Sequence, residues 1–449
     1  MPLPEAVQPV RMQRVGLLAP VDELRDALVI VADAGAVEFD IVSIEDTKVG
    51  VAPRLARTPE LITDERADLM AGEAQLNGCA ENAVRQGSVA GLVGWCPRSA
   101  VPDLRAKLAG VGASLVPLPS PRGVDPPTLL HTEGQVQRSF APMVDTYGTV
   151  PYVDVDPTVL AGVAYVVMFG MMFGDAGHGL LLTFIALLLR IGRPRWLVRL
   201  RHIWPFVAGA GLAATTFGVL YGEFFGPTHV FPAIWLDPLD EPIQLLTAAV
   251  GLGGVLLAAA YAVGTVNRWR EGGSGLALYA PSGIAGSAVF LGLGLVALGA
   301  YLDFPVLLLS GGVLAAAGLV FAAIGLYAGT GGGVGGAAEA GVQVFDVVIR
   351  LGSNLVSFAR LAAFGMTHAA LGLLVWQGTT ALTGAGWLGV AGAVIVFLVG
   401  NAVTFCLEAL VAGVQALRLE FYELFSRVFE IQGRPFRPWH VPMDKEVTS

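Results

Sequence analysis

Asp346, Arg360, His368, Glu408 and Arg418 stand in otherwise apolar sequence in the last quarter of this chain. A charge at bilayer depth costs at least ~2.5–3.5 kcal/mol on insertion scales, so such a residue is a functional hypothesis by default. Carboxylates and imidazole take up and release protons, and chains of them build proton relays. Guanidinium keeps its proton at biological pH, so Arg360 and Arg418 are fixed cations and not relays. Asp346, Ser353 and Arg360 are seven apart, as are Glu408, Gln415 and Tyr422. Heptad steps drift by only ~20°, so each set shares one helix face. Ser357 adds a hydroxyl one turn before Arg360. Ala359, Ala362, Ala363, Gly365, Ala369, Ala370 and Gly372 crowd round the arginine, and small side chains let another helix come close. Asp346 and Arg350 are four apart and can satisfy each other on one helix.

Other polar groups carry weaker signals. Asp175 and His178 lie in a GDAGHG turn, where capping and turn formation explain them. Glu223 in LYGEFFG closes an apolar segment and reads as an interfacial, snorkelling group. Cys79, Cys96 and Cys406 have neither metal nor redox spacing. GTGGGVGG (329–336) lacks the GK[ST] ending of a phosphate loop and reads as a flexible cytoplasmic loop. No metal or cofactor is expected.

These groups need long helices to hold them. Of 449 residues, 54% are apolar and 14% charged, against ~25% charged in soluble domains, so the composition is that of a membrane protein. Eight apolar segments span 158–174, 177–191, 204–226, 243–267, 276–302, 304–327, 340–379 and 386–430. The seventh would be ~60 Å long as one helix against a ~30 Å hydrocarbon core, so it must tilt or project. The eighth is as long. The gap after segment two holds Arg190, Arg193, Arg195, Arg199 and Arg201 with no acid. The next holds Asp237, Asp240 and Glu241 with no Lys or Arg, the next Arg268 and Arg270, and the next Asp303 alone. This alternation predicts eight spans with both termini cytoplasmic.

Residues 1–150 hold 19 acids and 13 bases, an acidic water-exposed part unsuited to nucleic acid. Acidic residues interrupt the early apolar run, which therefore suits a soluble strand and helix and not a signal peptide. A strand at 10–19, a helix at 21–34 and a strand at 37–43 are followed by a strand near 88–95, a helix near 101–111 and a strand near 113–118. Two strand–helix–strand units predict one small α/β lobe of ferredoxin-like type. Residues 50–87 read as polar and helical without sustained heptads. The expected organisation is a cytosolic lobe over 1–127, a linker and irregular approach segment over 128–157, a transmembrane ion-translocating domain over 158–430 and a cytoplasmic tail over 431–449.

Four stretches resemble one family. They are YGTVPYVDVDPT (147–158), FGMMFGDAGHG (169–179), SNLVSFARLAAFGMTHA (353–369) and LEALVAGVQALRLEFYELFSRVFEIQGRPFRPW (407–439). Shorter matches are GVLYGEFFG (218–226) and, earlier, PVRMQRVGLLAP and GLVGWCPRSAV. Together they make the chain similar to the membrane stator subunit of rotary V/A-type ATPases, called subunit a or subunit I. The resemblance implies two long tilted helices against a rotating proteolipid ring, whose carboxylates exchange protons or sodium ions through two stator half-channels. It carries the family's essential arginine onto Arg360, a second functional arginine onto Arg418, the half-channel acid and histidine onto Glu408 and His368, and a further acid onto Asp346. Such a subunit hydrolyses no ATP itself. Its partners would be the ring, membrane lipid, peripheral stalks and soluble subunits of the motor. A fixed cation between two aqueous paths favours deprotonation of a passing carboxylate.

Two departures are visible. The bulky residue that usually follows Arg-Leu is Ala362 here. Only one cytosolic lobe can be placed where the family has two joined by a helical hairpin, so stalk attachment would need a companion chain. The competing readings are a secondary ion transporter or channel, for which the internal repeat is missing, and a degenerate stator-like scaffold.

Overall fold

A computed structural model of the chain describes residues 8–40, 52–56, 66–121, 123–131, 134–193, 195–228, 230–384, 386–428 and 433–444. They divide into two compact units. One lies within Pro9–Leu130, Thr149–Tyr152 and Gln432–Ser449; the other lies mainly within His131–Gly148 and Val153–Ile431.

The first unit runs β1 (Met12–Pro20), α1 (Leu24–Ala34), β2 (Glu38–Phe39), α2 (Ala67–Glu81), β3 (Val84–Gln86), β4 (Val89–Pro97), α3 (Val101–Ala109) and β5 (Ser114–Pro117). The sheet order is β2–β4–β1–β5, every pair antiparallel, with β3 folded back on β4. This is the split βαβ arrangement expected from the two sequence units. Val15, Leu17 and Ala19 alternate inward from β1, as a half-buried strand requires. They meet Leu24, Ala27, Leu28 and Val31, one stripe of α1. Gly35 ends that helix at φ +56, a left-handed position that glycine adopts without strain. Of the strand expected over 37–43, residues 41–43 lie outside the described residues. So do residues 57–65 of the middle stretch, whose described helix, α2, is 15 residues long.

The tail completes this lobe. Trp439 donates its backbone N–H to Val37 O at 2.9 Å and packs on Phe39 with ring centroids 6.0 Å apart. Val441 is buried in the core. The Asp444 carboxylate, 4% exposed, accepts from Arg66 at 2.6 Å and lies 3.5 Å from Arg54. Arg66 also grips Asp68 at 3.0 Å and holds that carboxyl down at about 2.

The second unit is helical: α4 (Gln135–Tyr147), α5 (Thr158–Met172), α6 (Ala176–Ile191), α7 (Trp204–Tyr221), α8 (Pro242–Tyr279), α9 (Ile284–Tyr301), α10 (Pro305–Gly329), α11 (Gly333–Ser357), α12 (Ala359–Leu382) and α13 (Gly386–Leu419). A π-helical turn, Glu420–Phe425, follows α13. Two sequence readings need correction. The stretch read as an irregular approach contains α4, whose Phe140, Ala141, Met143 and Val144 are buried; Pro142 inside it disguised the helix. The glycine run after α10 is largely the first turn of α11, with only 330–332 between them.

Six stretches are long and apolar enough to cross a membrane: Val198–Tyr221, Pro242–Tyr279, Ile284–Tyr301, Pro305–Gly329, Gly333–Leu382 and Gly386–Val428. The expectation of eight is met for six. Helices α5 and α6, at 15 and 16 residues, are ~23 Å long and shorter than a ~30 Å hydrocarbon core. Exposure is inverted relative to a water-soluble protein. Leu180, Phe184 and Leu187 of α6 and Val399, Val403, Leu407, Leu410 and Val414 of α13 are exposed. Asp175, His178, Glu223, His368, Asn401 and Glu408 are buried. A lipid solvent demands that arrangement, because polar groups there must face one another. Close helix contacts make it possible. A Cβ on Gly218 of α7 would lie 2.0 Å from the Ala176 nitrogen at the start of α6, so no other residue fits without parting the helices.

Candidate functional site

The buried polar groups converge where α6, α12, α13 and the turn after α7 meet. Asp175 caps α6, its Oδ1 accepting the His178 N–H at 2.8 Å. The same carboxylate accepts the N–H of Phe225 at 3.0 Å on Oδ1 and that of Gly226 at 2.7 Å on Oδ2. It thereby ties α6 to the turn that follows α7. Phe225 reaches it at φ +53, a left-handed conformation that a bulky residue holds only under constraint. Gly226, at φ +88, lies against Gly372 of α12. The capping reading of Asp175 therefore holds, and the cap also docks α12.

His178 and His368 face each other, T-shaped, with ring centroids 5.6 Å apart. Phe173, Phe225 and Phe405 enclose the His178 ring. His368 Nδ1 makes a short hydrogen bond to Glu408 Oε2, joining α12 to α13. Both residues are buried, at 2% and 7% exposure. Glu223 is 5% exposed and within electrostatic reach of His368, Asp175 and Glu408, so the snorkelling reading is corrected. Burial sets its place: its backbone bonds to Gly218 O and to the Ala176 N–H turn it under the cap. Asn401, buried two turns before Glu408 on α13, completes the lining and was missed in the sequence because an amide carries no charge signal.

Arg360 and Arg418 form a separate level. Helices α12 and α13 follow one another directly and pack together, so they run antiparallel. From the His368–Glu408 pair, eight residues back along α12 and ten forward along α13 give ~12 Å and ~15 Å of rise. Arg360 and Arg418 therefore stand at the same height, and each feels the other's charge. Arg360 is partly exposed and Arg418 exposed. Among the described residues, neither has a carboxylate within ion-pairing distance. Arg418 continues the apolar stripe Leu407, Leu410 and Val414.

The π-helical turn reorganises the end of this helix. An extra residue in the turn shifts all later side chains round the axis. Glu408 is buried and Gln415 half-buried, but Tyr422 is 68% exposed, so the expected common face of these three ends before Tyr422. Glu420 and Glu423 turn inward. With its amide oriented to satisfy both neighbours, Asn354 of α11 donates to Glu423 Oε2 and accepts from Arg427, each at 3.0 Å. Arg427 also lies over the Tyr261 ring at 5.6 Å. Gln415 Oε1 is buried without a hydrogen-bond partner among the described residues. Ser357 donates to Ser353 O at 3.0 Å, and Ser353 is exposed. Asp346 pairs with Arg350 at 2.7 Å, ~21 Å of helical rise from Arg360, and is not brought to the histidines.

A clamp forms beyond the π-helical turn. Asn267 of α8 is fully buried. It accepts the Val155 N–H at 3.0 Å and donates to Val428 O at 2.8 Å, joining the approach segment to the helical turn Ser426–Val428. Beside it Arg268 pairs with Glu271 at 2.7 Å. Burial and then the nearby Glu271 charge push the Asp154 carboxyl up to about 8.

Residues 74–269 match the model of the V-type ATPase 116 kDa subunit family. The chain is 25% identical over 395 residues to the A-type ATP synthase subunit I of Pyrococcus horikoshii, covering 83% of this chain and 57% of that protein. It is 28% identical over 400 residues to the A-type ATP synthase subunit I of Archaeoglobus fulgidus, covering 78% and 58%. The V-type ATP synthase subunit I 2 of Treponema pallidum is 37% identical over 168 residues, 35% of this chain and 36% of that protein. These matches support the subunit a/subunit I family of V/A-type ATPases for this chain. The alignments with the two archaeal subunits span less than three-fifths of their length. The matched region of this subunit I relative includes α5–α7 with Asp175, His178 and Glu223, and the longer alignments carry most of the chain.

Proposed function

We propose that this chain is the membrane stator of a rotary V/A-type ATPase, and that α12 and α13 guide protons or sodium ions past a ring of proteolipid subunits. The observation that carries the reading is the pair of cations, Arg360 and Arg418, that have no carboxylate within ion-pairing distance among the described residues and feel Glu423 only at longer range, at one height on two packed apolar helices, ~12–15 Å from a buried His368–Glu408 pair. A cation left unpaired at membrane depth needs a carboxylate or water from outside the chain. A ring carboxylate arriving at Arg360 meets that need and is held deprotonated while it passes. The guanidinium cannot carry the ion itself, so it also bars direct leakage between the two half-channels.

In this reading Glu408 and His368 belong to one half-channel. Asp175, His178 and Glu223 line it in support. Ser353, Ser357 and Gln415 line the approach to Arg360, and Asp346, paired and half-exposed, stands at an aqueous mouth. Eight segments enter the membrane and both termini are cytoplasmic. The soluble motor subunits and peripheral stalks are partners, reached through a companion chain. Ion pumping by the reconstituted complex tests this. Arg360→Ala should abolish ATP-driven transport, and Arg360→Lys should fail nearly as badly because a desolvated ammonium is compact and can lose its proton. The ring should co-purify with both, since packing round Arg360 comes from alanine and glycine. Full pumping by the alanine variant would reject the mechanism.

A further inference from the structure

The Asp175–His178–His368 cluster has a property that a proton path does not require. One ligand-type atom from each residue lies within 4.8 Å of the other two. Three atoms so placed can be reached from one point at ~2.8 Å, and inward shifts of ~0.7 Å give the ~2.0–2.2 Å bonds of Zn²⁺ to imidazole and carboxylate. His178 is 2% exposed, and among the described residues neither of its ring nitrogens makes a well-formed hydrogen bond, although Asn401 lies within reach of the ring. Its Nδ1 stands 3.7 Å from Asp175 Oδ1. A buried imidazole without a well-formed hydrogen bond forfeits interactions that water would supply, so the site has room in its chemistry for a ligand.

The surroundings have the form of a metal site's outer shell. Glu408 holds one ring nitrogen of His368. A carboxylate on one nitrogen of a histidine fixes the ring and makes the other a better metal donor. Asp175 is oriented by three backbone N–H groups, and its Oδ2 takes only one of them, which leaves a lone pair. Two imidazoles and one carboxylate suit Zn²⁺ or a similar borderline divalent ion better than Mg²⁺ or Ca²⁺, which prefer all-oxygen shells.

We propose that Asp175, His178 and His368 form a three-ligand site for a Zn²⁺-class divalent cation, with water in the fourth position, and that the bound metal arrests ion transport. The arrest rests on the half-channel role proposed for His368 above: a metal held between α6 and α12 stands in the passage the ion would use. The binding itself does not depend on that reading.

Co²⁺ serves as the probe because a four-coordinate ion absorbs strongly in the visible range. The metal-stripped, assembled complex should bind one Co²⁺ per copy of this chain with such a spectrum, and Zn²⁺ should displace it. His178→Ala should weaken binding more than ~10-fold. His178→Cys should restore it and add a thiolate-to-metal charge-transfer band in the near ultraviolet, which a variant that merely misfolds would not give. His202→Ala and His440→Ala, outside the cluster, should bind as the parent does. Absence of Co²⁺ binding by the intact parent, or binding unchanged in His178→Ala, would overturn the site. Zn²⁺ should block pumping by the parent; a metal-loaded complex that pumps at the full rate would overturn the arrest while leaving the site. Loss of the transport role of Glu408, by contrast, would be read in metal-free complex.

Discussion

His368 and Glu408 are forty residues apart in the chain and share a buried hydrogen bond between α12 and α13. That contact sets the register of the two helices, and the register in turn puts Arg360 and Arg418 at one height. A pair that only cemented the helices would be better replaced by apolar side chains, since burying two ionisable groups is costly.

Glu408→Gln keeps the shape of the side chain and removes its ionisation. Transport by the reconstituted complex is expected to slow by ~10²-fold or more, the scale of losing one positioned proton-transfer group. The subunit composition should be unchanged on a native gel. Normal coupled transport would remove Glu408 from the relay.

Single cysteines at Arg195 and Asp237, in a background without Cys79, Cys96 and Cys406, should react with an impermeant reagent from opposite sides of the membrane. The Arg-rich and acid-rich loops dictate this. Labelling from the same side would refute the orientation with cytoplasmic termini.

Asn267→Ala would leave the Val155 N–H and the Val428 carbonyl without their partner. Each lost bond to a buried group costs ~1–3 kcal/mol, so the melting temperature of the detergent-solubilised protein should fall by several degrees. An unchanged melting temperature would mean that water replaces the amide.

Asp68 is held at about 2 by the Arg66 guanidinium, against ~3.9 when unfolded. Its folded value is depressed, so its contribution is complete above pH ~4 and is lost as pH falls toward 2. Hydrogen exchange in the lobe of the full-length protein, corrected for intrinsic rates, should speed up across that window. Arg66→Ala should flatten the response. An identical acid profile in the variant would show that this ion pair does not contribute.

The sequence by itself determined the kinds of element and the residues worth watching. Long apolar runs can only be membrane-length helices, because backbone polar groups must be satisfied within the segment. The strand–helix alternation of the first hundred residues allowed one small antiparallel lobe, and isolated charges such as Arg360 and Glu408 stood out against alanine and leucine. The GDAGHG turn announced its cap in the same way. Partnership was decided by tertiary structure. Helical period says which residues share a face, but not which faces meet, and that choice was made by close approaches such as Gly218 on Ala176 and Gly226 on Gly372. Burial was illegible for a related reason. In lipid both the inside and the outside of a helix are apolar, so nothing in LYGEFFG distinguished a snorkelling Glu223 from one buried beside His368. The π-helical turn that swings Tyr422 outward and Glu423 inward breaks the very period on which the reading relied. The tail's place in the lobe likewise depended on a contact, Trp439 on Phe39, between residues four hundred positions apart.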